Sequence, residues 1–280
     1  MTTIDRRAML LAAAGAALTP AFPAAAAPDD SLTVPVGDRQ VTISVWRPAQ
    51  IKGVVLFGHA LGGQPAAYDP LLTLWKAQGW LTLAPLHVDS RAHPRRADYT
   101  VQTGFPTRIA DMAAASAVAA RMAPGKPKAA AGHSYGSLFA AIQGGALAAM
   151  ANARDPEVKA VLQYSTPGRI PGLVGSDAFA SVVPPSLTVT GTADTVPGFV
   201  ADWRDHLALF DTAPAGGRTA LVFEGGGHFL IGGQAQPGPQ FDRAARAGAD
   251  FLAAELLGDA QARARLAALT SADGLEVRRR

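Results

Sequence analysis

The feature that most restricts the fold of this chain is the stretch Lys128 to Gly132, a short apolar run that leads into Gly132-His133-Ser134-Tyr135-Gly136. An alanine-rich segment of helical composition, Leu138 to Met150, follows directly. That order predicts a buried strand, a sharp turn and a helix, with a serine on the turn. Flanking glycines suit a backbone that must turn where side chains would not fit. A turn of this kind belongs at the C-terminal edge of an open parallel sheet, where such folds gather their chemistry.

The rest of the chain alternates in the same way. Leu32 to Val36 and Val41 to Trp46, joined through Gly37-Asp38, read as two antiparallel edge strands. Further strands are expected at Val54 to Phe57, Leu81 to Ala84, Ala129 to Ala131, Val158 to Tyr164, Leu187 to Thr190 and Ala220 to Phe223. Helical patterns lie between them at about Leu71 to Ala77, Thr107 to Met122, Leu138 to Ala151, Phe199 to Phe210 and Asp242 to Leu257. The tail begins as a helix, Ala260 to Leu269, and ends in an extended segment after Gly274. This alternation predicts an α/β fold with a doubly wound, mostly parallel sheet of about eight strands and helices on both faces. Only Ser165 to Pro185 separates two of the strands, which leaves room for a short loop rather than a helical lid, so no large cap is expected. The other long connection, His87 to Pro106, carries Tyr99 and Phe105 and is expected to form part of a substrate rim.

A serine hydroxyl is a weak nucleophile at neutral pH. It needs a base to take its proton and a carboxylate to orient that base. His228 follows the strand-like Thr219 to Phe223 through Glu224-Gly225-Gly226-Gly227, and Asp194 ends the β-branched run Ser186 to Thr190 in the turn Gly191-Thr192-Ala193-Asp194. Both therefore fall on the same sheet edge as Ser134. Asp202 and Asp205 are alternative acids, although each lies within a helical pattern. His59 and His133 are read as structural hydrogen-bonding residues and His206 as a residue in the middle of a helix. His87, Asp89 and His93 lack the spacing of a metal site and are expected to be solvated loop residues, so neither metal nor cofactor is expected. Charge developing on a carbonyl oxygen needs backbone N–H donors, assigned to Tyr135, after the nucleophile, and Leu61, in the loop after Val54 to Phe57.

These segments together resemble the α/β-hydrolase superfamily over nearly all of the mature length. The loop His59-Ala60-Leu61-Gly62 is similar to its H-G-x-G type turn, Gly132 to Gly136 to its nucleophile elbow, Gly191-x-x-Asp194 to its acid turn, and Gly227-His228 to its final loop. The chain looks most like the uncapped serine esterases related to dienelactone hydrolases, chlorophyllases and bacterial platelet-activating-factor acetylhydrolase-like proteins. It departs from the pattern at Ala60, where glycine is usual, and at Ser134, where the dienelactone enzymes carry cysteine. The resemblance implies hydrolysis of carboxylic esters through an acyl-enzyme. An acyltransferase, perhydrolase or amidase would use the same residues, and a non-catalytic binding protein is the alternative from a different class. Tyr68, Tyr164, Trp203 and Phe229 are the expected substrate contacts, implying an apolar or aromatic group on a small or polymeric ester.

Arg6 and Arg7 precede an apolar stretch from Ala8 to Leu18 and a small-residue site at Ala24-Ala25-Ala26. Residues 1–26 are therefore expected to be an export signal of twin-arginine type, with residues 27–280 as one catalytic domain in the periplasm or outside the cell. The apolar core of about 11 residues is well short of the ~20 that span a bilayer, so no stable anchor is expected after cleavage. Net charge is +3, and loss of two arginines and one aspartate with the leader leaves +2, which is no footprint for nucleic acid. The chain has no cysteine, which excludes disulfides and thiolate chemistry. Composition gives no indication of oligomeric state.

Overall fold

The computed structural model describes residues 28–232 and 238–280. The expected export signal lies outside the described residues. Nine strands form one sheet: β1 (Asp30–Val36), β2 (Arg39–Trp46), β3 (Gly53–Gly58), β4 (Trp80–Pro85), β5 (Lys128–His133), β6 (Val158–Tyr164), β7 (Ser186–Ala193), β8 (Arg218–Gly227) and β9 (Leu275–Arg279). Their spatial order is β1-β2-β4-β3-β5-β6-β7-β8-β9. From β4 to β8 neighbours are parallel, while the β1, β2 and β9 pairings are antiparallel. The expected final extended segment is the ninth strand.

Helices α1 (Asp69–Ala77), α2 (Val101–Met122), α3 (Tyr135–Gly144), α4 (Ala208–Thr212), α5 (Pro239–Leu257) and α6 (Ala260–Ala268) complete the fold. The period-2 alternation of a strand explains how a continuous apolar run feeds two cores. Val54 and Leu56 of β3 join Met112, Ala115 and Leu138 from α2 and α3. Val55 and Phe57 join Trp75 of α1 and Phe241 and Leu252 of α5 on the opposite face. The chain passes from β3 to β4 on one side and then returns to β5 on the other. That reversal makes a crevice at the C-terminal ends of β3 and β5.

Three helical segments differ from expectation. α2 starts before Pro106 because Thr100 and Thr103 form a reciprocal cap, each side chain accepting the other's backbone N–H at 3.1 and 2.9 Å. Phe105 therefore turns inward, 5.2 Å from the Phe139 ring, and leaves the expected rim. α3 stops at Gly144, since Gly145 adopts φ +115°, a conformation that ends the helix well before Ala151. Phe199 to Phe210 is broken into a bridge between Val196 and Val200, a 3₁₀ turn at Trp203–Leu207 and short α4. No lid helix occupies 165–185, whose Leu173, Phe179 and Val182 pack against the α3 face.

Candidate active site

The turn at Ser134 is held by close backbone approach. Ser134 has φ +53°, and its N–H donates to Tyr164 O at 2.9 Å. A Cβ on Gly136 would lie 2.1 Å from Gly58 O, and one on Gly132 would lie 2.4 Å from the Gly136 carbonyl carbon. Both positions require glycine. The strained serine conformation lifts its hydroxyl off the end of β5.

His228 Nε2 is 3.0 Å from Ser134 Oγ, and its Nδ1 donates to Asp194 Oδ1 at 2.8 Å. The structure thus brings the three expected residues into one hydrogen-bonded chain, from the ends of β5, β7 and β8. Thr190 Oγ1 donates to the second Asp194 oxygen at 2.8 Å. Burial alone would raise the Asp194 pKa, but hydrogen bonds from His206 and His228 and their charges hold it well below the usual carboxylate range. The two carrying loops are stapled by Gly225 N–H to Thr192 Oγ1 at 2.8 Å, and Gly191 must be glycine because Gly226 O would lie 2.3 Å from a Cβ. Of the alternative acids, Asp202 caps the 3₁₀ turn and Asp205 faces Arg169 at 3.4 Å.

On the other side of Ser134 lies the turn after β3. Ala60 N–H donates to Tyr68 Oη at 3.0 Å and Gly62 N–H to Asp89 Oδ2 at 3.0 Å. Between these tethered amides, Leu61 N–H has no protein acceptor among the described residues. Tyr135 N–H, at the first position of α3, is one of the helix's unpaired donors. Buried Arg108 supports the turn from below. It pairs with Asp89 through Nε and Nη2, both at 2.7 Å, and donates to His59 O at 2.8 Å and Ala60 O at 3.2 Å. Burial would raise the Asp89 pKa, yet the Arg108 charge and hydrogen bonds push it far down.

The expected structural histidines have that place in the fold. His133 is buried. Its Nε2–H donates to His228 O at 2.6 Å and its Nδ1 accepts from Tyr68 Oη at 2.8 Å. Tyr68 thus connects the His228 loop to the Ala60 amide. Burial, then the His228 charge, lowers the His133 pKa to about 3, which keeps this relay neutral. His59 donates from Nδ1 to Ala60 O at 2.7 Å and accepts from His87 N–H at Nε2. The expectation of solvated loop residues at His87 and Asp89 is corrected: both are buried, His87 against Asp111 at 3.0 Å and Asp89 against Arg108.

Three expected substrate contacts are also corrected. Tyr164 is only 1% exposed and packs beneath α5 near Gly248, while Tyr68 is buried and spends its hydroxyl on the relay. Aromatic character is not itself a sign of exposure, because both faces of this sheet carry a core. Trp203 packs on Leu207, Phe210 and Val222, with Arg204 and Arg278 against its ring, over β8 rather than beside Ser134. Phe229 stands at the site. It is 49% exposed and 5.4 Å from the His228 ring.

The residue that sequence reasoning missed is His206. Its Nε2 lies 2.9 Å from both Asp194 Oδ1 and Asp194 O, and its Nδ1 faces Thr166 O. A segment read as helix hid it; the useful signal was its position 12 residues beyond Asp194 in the same sheet-edge connection. Asp194, His206 and His228 are the grouping among the described residues whose atoms converge as metal ligands might, within 4.8 Å of one another. The carboxylate–imidazole separations of 2.8 and 2.9 Å are hydrogen-bond lengths. They are shorter than the ~3.3 Å between ligands around tetrahedral zinc.

No family model matches this sequence, and no curated protein does. Similarity is found among solved structures. An esterase from Thermogutta terrifontis, esterase 2 phosphorylated by paraoxon, aligns over 84% of this chain and 95% of its own, with 14% identity and a TM-score of 0.61. A cold-adapted esterase from an Arctic intertidal metagenomic library covers 81% and 93%, with 20% identity and a TM-score of 0.62. An alpha-beta serine hydrolase homologue from Coxiella burnetii covers 73% and 91%, with 16% identity and a TM-score of 0.55. With the strand order, the crevice and the absence of a large cap among the described residues, these likenesses give the chain the α/β-hydrolase fold.

Proposed function

We propose that this protein is a serine hydrolase that cleaves carboxylic esters through an acyl-enzyme. The observation that carries the reading is the unbroken chain from Ser134 Oγ through His228 to Asp194 Oδ1, at 3.0 and 2.8 Å. Ser134 attacks the carbonyl, His228 takes the hydroxyl proton and returns it to the leaving alcohol, and Asp194 holds the imidazole and stabilises its charge. The Leu61 and Tyr135 amides receive the oxyanion. Losing one such donor typically costs about 3–4 kcal/mol of transition-state stabilisation. Water then repeats the sequence on the acyl-enzyme.

The uncapped crevice suits bulky or polymeric esters, and Phe229 offers an apolar wall for an acyl or aryl group. The similar structures include esterases, which supports hydrolysis of this class without fixing the substrate. Resemblance to the uncapped esterases related to dienelactone hydrolases and chlorophyllases rests on the motifs of the sequence. Export to the periplasm or beyond rests on the twin-arginine-type leader in residues 1–26. No helix among the described residues is long and apolar enough to cross a membrane.

The test is hydrolysis of p-nitrophenyl acetate, butyrate and octanoate by the full-length chain beside Ser134→Ala. The reading expects turnover with a chain-length preference in the parent and a loss of about 10⁴-fold or more in the variant. Equal slow rates in two folded proteins would remove Ser134 from the chemistry.

A further inference from the structure

His206 has an acceptor on each ring nitrogen. Nδ1 faces the Thr166 carbonyl, and Nε2 faces both the carboxylate and the carbonyl of Asp194 at 2.9 Å. Thr166 closes the clasp, its hydroxyl donating to His206 O at 3.1 Å. A neutral imidazole carries a single N–H. One of its two contacts would then set a lone pair against oxygen. The ring is fully buried, and no solvent-exposed rotation is open to relieve that contact. Only the imidazolium satisfies both sides.

We propose that His206 is held as an imidazolium and acts as a positioning residue on Asp194, holding the same carboxylate oxygen that His228 meets. The proposal rests on the Ser134–His228–Asp194 reading for its kinetic consequence. Asp194 Oδ1 accepts from both imidazoles, and Oδ2 from Thr190. When His206 gives up a proton, its one remaining N–H serves either Asp194 or the Thr166 carbonyl but not both, and the clasp between them loosens. Asp194 then shifts, and the His228 Nδ1–H loses its partner.

The groups facing this ring come from several elements. Asp194 ends β7, His228 follows β8 with ring centroids 6.0 Å apart, and neutral His133 stands behind His228. On the solvent side the Arg169–Asp205 pair is partly exposed. Burial disfavours charge on His206, but the hydrogen bond to Asp194, its charge and the Thr166 carbonyl raise the pKa above the ordinary histidine value. The sign follows: the proton is present at low and neutral pH and is lost as pH rises through the raised value. Activity should therefore fall on the alkaline side.

Two readouts test this on the full-length protein. In ¹⁵N-histidine spectra at neutral pH, above the ordinary histidine value of ~6.5, one buried ring should show both nitrogens protonated. For kinetics, His206→Gln places a neutral N–H toward Asp194 that does not titrate. It should keep kcat within about tenfold at neutral pH and lose the alkaline fall, whereas His206→Leu should lower kcat about 100-fold with KM nearly unchanged. The proposal is overturned by a spectrum at neutral pH with no buried doubly protonated ring, or by a His206→Gln profile that superimposes on the parent's. The spectrum does not depend on turnover. It stands even where the Ser134→Ala comparison defeats the esterase reading, and it needs no folded variant.

Discussion

The two flanks of Ser134 are built from different ions. On the β3 side, the turn carrying Leu61 is fixed by buried Arg108, paired through two hydrogen bonds with Asp89. On the β7–β8 side, Asp194 is fixed by two imidazoles. On the proposed hydrolase reading, the first flank offers only amides and needs rigidity, while the second carries a moving proton. Arginine suits the former because its planar fork holds backbone carbonyls as well as a carboxylate. Histidine suits the latter, at the expense of making that flank sensitive to pH. His133 and Tyr68 couple the two through neutral hydrogen bonds.

If that division is right, damage to the proton-carrying flank should appear in rate and damage to the other in stability as well. The largest effect is expected at Asp194→Asn, which presents the wrong partner to His228 and should lower kcat by about 10⁴-fold. Steady-state kinetics on esters checks it. Next is Arg108→Met, which leaves Asp89 buried without its counter-ion. A loss of about 3–5 kcal/mol is expected by urea unfolding, together with reduced kcat as the Leu61 turn loosens. If this variant were as stable as the parent, the buried ion pair would not be what fixes that turn.

A pH titration of stability sharpens the comparison further. Burial, with the charge of Arg108 next for His59 and His87 and of His228 for His133, lowers the pKa of all three. The unfolded chain takes up protons near pH ~6.5 that these folded rings refuse, so stability should decline as pH falls below that value. Melting temperatures at pH 5 and 7.5 measure it, and an unchanged value would contradict neutral burial. Tyr68→Phe should be milder, costing about 1–3 kcal/mol by leaving the Ala60 amide and His133 without the relay. The smallest effect is expected at Phe229→Ala, a few-fold rise in KM for long acyl chains with little change in melting temperature.

What could be read from sequence follows from which residues speak locally. β6 is found at Val158–Tyr164 as expected, because its apolar and β-branched residues, interrupted only by Lys159 and Gln163, stand out between polar connections. Ser134, Asp194 and His228 could be placed together because each ends such a run, and parallel strands deliver their ends to one edge. Arg108 was silent. It lies in an alanine-rich helix as one more charged residue, and only tertiary packing puts its guanidinium beneath His59 and Ala60. Tyr68 and Tyr164 were misplaced for a related reason, since an aromatic near a strand end can face either core or crevice. Pro106 and Gly145 show the local limit: a side-chain cap at Thr100 outweighed the proline as a helix boundary, while a single left-handed glycine cut α3 short.

The central claim is that Ser134 is a nucleophile activated by His228. Reaction of the folded full-length chain with a fluorophosphonate, followed by peptide mass mapping, tests it most directly. The account predicts one adduct, on the peptide containing Ser134, absent in Ser134→Ala and strongly slowed in His228→Ala. Failure of the parent to label, or labelling of a different residue, would contradict it.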